Sequence, residues 1–353
     1  MLLRCSIIGF IVVFCGLAKA QNAPVTSAPD FFGAVPGQIT VPVTVTNFTD
    51  IGAVSLNLEY DPTVLTFVLG IQNSTINGMF AIGDNALPSG MRRVAIGWFG
   101  NAESLPDGAS LVDLQFNYLG GTTDLDWFDD GASCEYTDEA YNTLNDVPVA
   151  CHYRNGIVTS SRCMNLSVYL EGLYSQGTHQ MISALGSVPD LCDDGLADNI
   201  QVEFRSASDY SNVVFASADI SVSMQGIARV LVPASLSNGY YITIRHRNSV
   251  ATVSAVPVLF SSNIVDYNFT DMASKAYGNN MIRMGEGIWA IYAGDVNQDG
   301  FVDTGDMTPV DNDAGNFEYG YLPTDVNGDG FVDTGDMTII DNNVSGFVGS
   351  ITP

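Results

Sequence analysis

Residues 38–65 read QITVPVTVTNFTDIGAVSLNLEYDPTVL. Two runs within it, 38–47 and 54–60, alternate apolar and polar side chains, and the first is rich in β-branched residues. A period of two sends successive side chains to opposite faces of a sheet, so each run predicts a half-buried strand. Working outward, 94–98, 111–118 and 156–159 read the same way, punctuated by Gly, Pro, Asn and Asp. No amphipathic helix intervenes. Strands at this spacing predict an antiparallel sandwich.

A second strand-rich block starts near Cys163 with the runs MNLSVYLEG, NIQVEFR, SADISVSM, IARVLVP, GYYITIRHRN and SAVPVLF. In 240–247, Tyr240, Ile242, Ile244 and His246 share one face, and Tyr241, Thr243, Arg245 and Arg247 the other. This block is expected to form a second β-domain ending near Tyr292. The remainder has too little apolar content to build a core alone.

The formal charge of the 353-residue chain is −27. Beyond residue 20 its one lysine is Lys275. Such a surface repels nucleic acid and anionic lipid and attracts cations. The acidity is uneven, because 294–353 carries eleven Asp, Glu318 and no Lys or Arg.

The chain opens MLLRCSIIGFIVVFCGLAKAQNA. Arg4, the apolar run 5–17 and Ala18-Lys19-Ala20 have the order of a secretory signal peptide, so export is expected and the mature chain should start at Gln21. Phe14 is too bulky for Cys15 to be a lipoprotein site. No later apolar run is long enough for a membrane-spanning helix. Beyond the leader lie Cys134, Cys151, Cys163 and Cys192. An even count in an exported chain fits two disulfides. Three pairings are open. Keeping each bridge within one domain favours Cys134–Cys151 and Cys163–Cys192.

The acidic segment contains the same loop twice, GDVNQDGFVDTGDMT from Gly294 and TDVNGDGFVDTGDMT from Thr324. In the first, Asp295, Asn297, Asp299, Phe301, Asp303 and Asp306 fall at positions 1, 3, 5, 7, 9 and 12, with Gly300 at the sharp turn. In the second, Asp325, Asn327, Asp329, Phe331, Asp333 and Asp336 do the same, with Gly330 at the turn. Oxygen ligands two residues apart on a tight turn converge on one point, with the position-7 residue offering its carbonyl. This is the EF-hand calcium pattern, with Asp in place of Glu at position 12. Two Ca2+ ions are expected, with folding of the segment linked to their binding. Val302 at position 8 should face inward and pair its loop with the other. Short exit helices should follow, about 306–312 and 336–343, with Pro309 tolerated only in a first turn.

Two loop-plus-helix repeats at the end of an exported chain resemble a dockerin. That resemblance implies a calcium-ordered helical pair that docks into a cohesin domain. The usual Ser-Thr at positions 10 and 11 is here Thr304-Gly305 and Thr334-Gly335, so partner specificity does not carry over. The ordered series 37–47, 51–65, 94–98, 111–116 and 155–159 in turn resembles a cohesin domain, a jelly-roll sandwich related to cellulose-binding modules. The middle block looks like a module that precedes such tails in exported Bacteroidetes surface proteins, and is read as an Ig-like or transthyretin-like sandwich. The expected organisation is a leader 1–20, a cohesin-like sandwich 21–160, a second β-sandwich 161–292 and a dockerin-like module 293–353, mainly β with one small helical part.

Catalytic patterns are sparse. His152, His179 and His246 sit in no nucleophile–base motif. Glu59 and Glu171 fall on separate predicted strands, each on a solvated face, so they cannot flank one glycosidic bond. Trp98 and Trp127 suit a core better than a sugar platform. Arg245 and Arg247 suit the solvent side. The function expected is a non-catalytic, extracellular or cell-surface calcium-binding scaffold. It would act through cohesin- or dockerin-bearing partners, including a second copy head to tail. The alternative is a carbohydrate-binding accessory of polysaccharide or glycoside hydrolysis.

Overall fold

The computed structural model describes residues 21–187 and 195–353. Two sheets face each other in the first part. One has the order β11-β1-β3-β8-β5, from Tyr153–Arg154, Val25–Ser27, Gly37–Thr46, Ala109–Tyr118 and Leu65–Gln72. The other has the order β2-β12-β9-β4-β7-β6, from Asp30–Phe32, Gly156–Thr159, Thr122–Trp127, Ile51–Tyr60, Arg92–Glu103 and Met79–Ala86, with β10 (Glu135–Asp138) also on β4. The alternation read from the sequence holds in both. In β3, Val41, Val43 and Val45 point inward, and in β4, Val54, Leu56, Leu58 and Tyr60 do so. Tyr60, Phe116 and Phe67 meet edge to face between the sheets, as aromatic quadrupoles prefer. A short helix, α1 (Val149–His152), precedes β11.

The middle block is one continuous ladder, joined between its two halves by the single pair Val222–Ala228. It is one eight-stranded sheet in the order β20-β19-β16-β17-β18-β13-β22, from Ser249–Val253, Gly239–His246, Leu196–Ser206, Val213–Ser223, Ile227–Val232, Arg162–Ser167 and Ile264–Asn268. A short strand, β21 (Val258–Leu259), pairs on β19. Two small ribbons complete the block, β14–β15 (Tyr174–Ser175, Gln180–Met181) and β23–β24 (Ile282–Gly285, Ile288–Ala290). Met164 of β13, Val202 of β16, Ile244 of β19 and Val265 of β22 share one core. Strands far apart in the order meet there, so the sheet curls on itself, and register shifts in β16 and β19 supply the bends.

The expected disulfides do not form. Cys134 and Cys163 are free, buried thiols, whereas Cys151 is disulfide-bonded. Cys192, the partner expected for Cys163, lies outside the described residues. The register of β10 on β4 turns the Cys134 sulfur inward, where its thiol donates to the Phe128 carbonyl at 3.2 Å. Assigning bridges by domain overlooked that strand alternation decides where each sulfur points. Burial pushes the Cys134 thiol up to about 12.

Two helices close the chain, α2 (Thr304–Gly315) and α3 (Thr334–Ser345). Both begin earlier and run longer than expected, because Asp303 and Asp333 act as N-caps in reciprocal capping boxes. Pro309 sits in the second turn of α2, not the first. Its ring removes the donor for the Gly305 carbonyl, and α3 has Ile339 at the same place. Pro309→Ile should therefore stabilise the protein by about 1–2 kcal/mol in urea unfolding with EDTA present.

Candidate functional site

The two acidic loops have nearly identical geometry. The Asp306 carboxylate accepts the N–H groups of Val296 (2.7 Å), Asn297 (3.0 Å) and Asp303 (2.9 Å). Asp336 accepts those of Val326 (2.7 Å), Asn327 (2.9 Å) and Asp333 (2.9 Å). The position-12 carboxylates thus tie the start of each loop to the start of its helix. Asn297 and Asp299, like Asn327 and Asp329, close the turn through paired side-chain and backbone bonds. A Cβ at Gly305 would stand 2.9 Å from Asp303 Oδ1, and one at Gly335 2.9 Å from Asn327 Nδ2, so both glycines lie close against their loop's side chains.

Whether these loops suit a cation can be tested on their oxygens. Asp295 is 2 % exposed, its Oδ2 accepts from Gly300, and its Oδ1 is buried with no hydrogen-bond partner among the described residues. A buried carboxylate oxygen without a donor is costly, and a hard cation supplies what it lacks. Burial, then repulsion from Asp306 and Asp299, pushes Asp295 up to about 6. Burial also drives Asp325 up to about 6, with Asp336 adding to the rise and Arg247 opposing it. Among the described residues, no three His, Cys, Asp or Glu side chains gather closely enough to hold a metal alone. A calcium loop also draws on an amide oxygen and a backbone carbonyl, and Asn297, Phe301 and their counterparts offer these.

Val302 is expected to pair the two loops with each other, but among the described residues each loop pairs instead with the segment beyond the other repeat's helix. Each helix carries the chain back to the other repeat. Val302 is buried and its N–H donates to the Val348 carbonyl beyond α3, while Phe331 bridges Tyr319 beyond α2. This crossed closure forms a small core of Val296, Val302, Val310, Val326, Val332, Ile340 and Val348, completed by Val250 of β20 and Ala293.

The middle sheet supplies more than those apolar contacts. Asp198 of β16 accepts from His246 Nε2 (3.0 Å), Arg247 Nε (3.1 Å) and the Tyr321 hydroxyl (2.6 Å). Arg247 reaches over the Tyr321 ring and donates to the carbonyls of Leu322 and Asp325. Glu171 accepts from Ala293 N–H (2.8 Å) and Asn343 Nδ2 (2.7 Å). Glu171 is therefore a joint residue in a 3-10 turn, not a solvated strand residue, and Arg247, 11 % exposed, is not on the solvent side. Both corrections have one cause: the tail covers this end of the sheet.

Ser249 Oγ lies 2.9 Å from His246 Nδ1, which completes an Asp–His–Ser line. The spacing is that of a nucleophile, base and carboxylate. Ser249 is buried beneath the tail, however, and does not line the groove that touches His246. Asp198 accepts the Nε2 proton, so Nδ1 accepts from the serine. The line is a structural pin.

Two surfaces went unnoticed in the sequence. In the tail, Phe301 and Phe331 are 61 % and 65 % exposed, and Phe317 and Phe347 are 87 % and 94 % exposed. Phe317 and Phe347 hold φ of 57° and 55°, a conformation rarely adopted by bulky side chains. The signal was their recurrence at the same offset in both repeats. On the sandwich, the outer face of β4, β7 and β6 has a floor of small side chains. Ala81 lies opposite Gly97, which lies opposite Ser55; Gly83 lies opposite Ala95, which lies opposite Asn57. They line a shallow trough of about 380 Å3. A Cβ added at Gly83 or Gly97 would meet nothing closer than 3.9 Å, so no packing among the described residues requires glycine there. Phe99, Met79 and Tyr141 stand exposed at one end. Trp98 and Trp127 are core, so neither offers a ring face to a sugar.

Residues 29–91, from near β2 through β6 to the start of β7, match the family model of the cohesin domain. The first sandwich is thus a cohesin-like domain. Solved structures similar to part of the chain include three cohesin structures. The non-cellulosomal cohesin of the hyperthermophilic archaeon Archaeoglobus fulgidus is 22% identical, with 38% of this chain and 89% of that one covered and a TM-score of 0.31. CaCohA2 from Clostridium acetobutylicum is 19% identical, covering 39% and 91%, with a TM-score of 0.31. A chain of the Coh-OlpA–Doc918 cohesin–dockerin complex from Clostridium thermocellum is 16% identical, covering 39% and 99%, with a TM-score of 0.32. No curated protein matches the chain. Among the described residues, no helix is long and apolar enough to cross a membrane.

Proposed function

We propose that this chain is a non-catalytic docking protein of the cell exterior. Its cohesin-like sandwich receives a dockerin-type tail, and its own tail is such a module. The observation that carries the reading is the glycine floor. Glycine weakens a strand and often marks close approach by another backbone. Here Gly83 and Gly97 face outward with open space above them. Two Ca2+ would be held by Asp295, Asn297, Asp299, Phe301, Asp303 and Asp306, and by Asp325, Asn327, Asp329, Phe331, Asp333 and Asp336. The unpartnered Asp295 Oδ1 supports that assignment. The protruding phenylalanines are suited to a flat floor of small side chains. Both complementary parts lie on one chain, so head-to-tail contact between copies is heterologous and open-ended.

The test uses residues 21–353 immobilised, with the same protein and other tail-bearing proteins as analytes, in CaCl2 and in EDTA. Calcium-dependent retention is expected. Gly97→Trp should weaken it at least about tenfold, or about 1.4 kcal/mol, with an unchanged melting temperature. Phe317→Ser with Phe347→Ser should do the same from the other side. A strictly monomeric protein that retains no tail-bearing partner would overturn the reading.

A further inference from the structure

The two loops differ at position 4, Gln298 in the first and Gly328 in the second. Both residues take the left-handed conformation, φ 58° and 72°. Gln298 shows that a long side chain is tolerated at that backbone position. The reason for glycine in the second loop is therefore its surroundings. A Cβ on Gly328 would stand 2.3 Å from Leu173 Cδ2 and 3.2 Å from Ala184 Cβ, both in the middle domain. Next to it, a Cβ on Gly172 would meet the Val326 carbonyl at 2.0 Å. Asn248 Nδ2 donates to the Pro323 and Asp325 carbonyls, each at 3.1 Å, and Arg247 donates to Asp325 at 2.7 Å. None of these contacts uses a side-chain oxygen of the ligand set.

The first loop stands off from the same sheet. It is tied at its entry, where Gly294 N–H donates to the Asn248 carbonyl at 2.7 Å. Beyond that, a groove of about 220 Å3 lies between Asp295, Gln298 and Asp299 on one side and Arg205, Tyr210 and Arg245 on the other. This loop also holds the buried Asp295 Oδ1 that has no donor.

We propose that the two loops divide the work: the second is an anchor clamped to the middle domain, and the first is the exchangeable site whose order depends on a divalent cation. This rests on the calcium reading above. The anchored loop keeps its shape through Leu173, Arg247 and Asn248 whether or not an ion is bound. The turn of the stand-off loop has no such clamp from the middle domain among the described residues; beyond its entry bond it is held by its own hydrogen bonds, by the backbone bonds of Gly300 and Val302 to Ser350 and Val348, and by the ion. Cation concentration then acts on one half of the tail, the half carrying Phe301.

Hydrogen exchange read by mass spectrometry on residues 21–353 tests this. In EDTA, amides of 326–332 should exchange at least about tenfold more slowly than those of 296–302, since protection follows local opening. CaCl2 should slow the first loop far more than the second. Gly328→Gln should bring the second loop down to the exchange rate of the first in EDTA, while Gln298→Gly leaves both patterns in place. Leu173→Ala is the milder variant should Gly328→Gln fail to fold, and it too should release the second loop. Equal exchange of the two loops in EDTA, or a Leu173→Ala protein with its second loop as protected as in wild type, would overturn the proposal. Calorimetry with CaCl2 separates the two ideas. No heat removes the calcium reading and with it the exchangeable role. Two binding events with equal exchange in EDTA remove only the division of work.

Discussion

Asp336→Ala should lower stability by about 3–5 kcal/mol in urea unfolding and should abolish one of two calcium-binding events. The carboxylate is fully buried and accepts three backbone N–H groups, at 2.7, 2.9 and 2.9 Å. Each buried donor left unsatisfied costs about 1–3 kcal/mol, and the three do not add fully because the loop relaxes. An ion at one hundred times its Kd adds roughly 2.7 kcal/mol to the folded state. The variant should lose that increment at the second site, so its response to CaCl2 should be about half that of the wild type. Asp336→Asn keeps one carbonyl acceptor and should fall between. A variant that unfolds with wild-type behaviour in EDTA and still binds two ions would show that the position-12 carboxylate neither organises the loop nor ligates.

Arg247→Ala is expected to be about as damaging, again about 3–5 kcal/mol, since it strands a buried charge. Asp198 has no exposed side-chain surface, and among the described residues Arg247 is its one always-charged partner. The variant also takes a donor from the carbonyls of Leu322 and Asp325, the latter keeping its bond from Asn248. Arg247→Ala with Asp198→Asn should recover part of the loss, because the stranded charge goes too. No recovery in the double variant would mean that Arg247 acts through packing alone.

The same cluster predicts acid sensitivity. Burial raises Asp198, but bonds from His246 and Tyr321 and the charge of Arg247 outweigh it, so its pKa falls to about 2 from 3.8. A depressed carboxylate contributes stability above its unfolded value, lost as pH drops toward 2. The contribution is of order 2 kcal/mol. Burial, opposed by Asp198, holds His246 below its ordinary 6.5. It is neutral at pH 7, and taking up a proton favours unfolding as pH falls below about 6.5. Both effects have the same sign. In a chelator-buffered series, unfolding free energy should therefore decline as pH drops from about 3.8 toward 2, whereas between about 6.5 and 3.8 protonation of the raised Asp295 and Asp325 acts against the His246 effect.

Alternation alone located β3, β4, β7, β8 and β12, because one face of each is buried and the other wet. It passed over β5 and β6. Their burial is irregular, and β6 lies at a sheet edge where polar Asp84 and Asn85 follow Gly83. The turns of the two acidic loops and the helices after them were legible because position and turn glycine are local. What lies between the modules was not. Glu171, Asp198, Arg247 and Asn248 look like ordinary strand and turn residues until a segment more than 70 residues distant covers them.

The sequence by itself determined a mainly β chain with two acidic, turn-forming loops, because period, turn chemistry and charge act over a few neighbours. Tertiary structure decided the rest. It curled the middle block into one sheet through bulges that no periodicity announces. It aimed the Cys134 sulfur into the core. It set the two loops on unequal footings, since only folding brings Leu173 and Ala184 against Gly328 and leaves a groove beside Gln298. The space around position 4, which the chain alone does not show, separates the two copies of one motif.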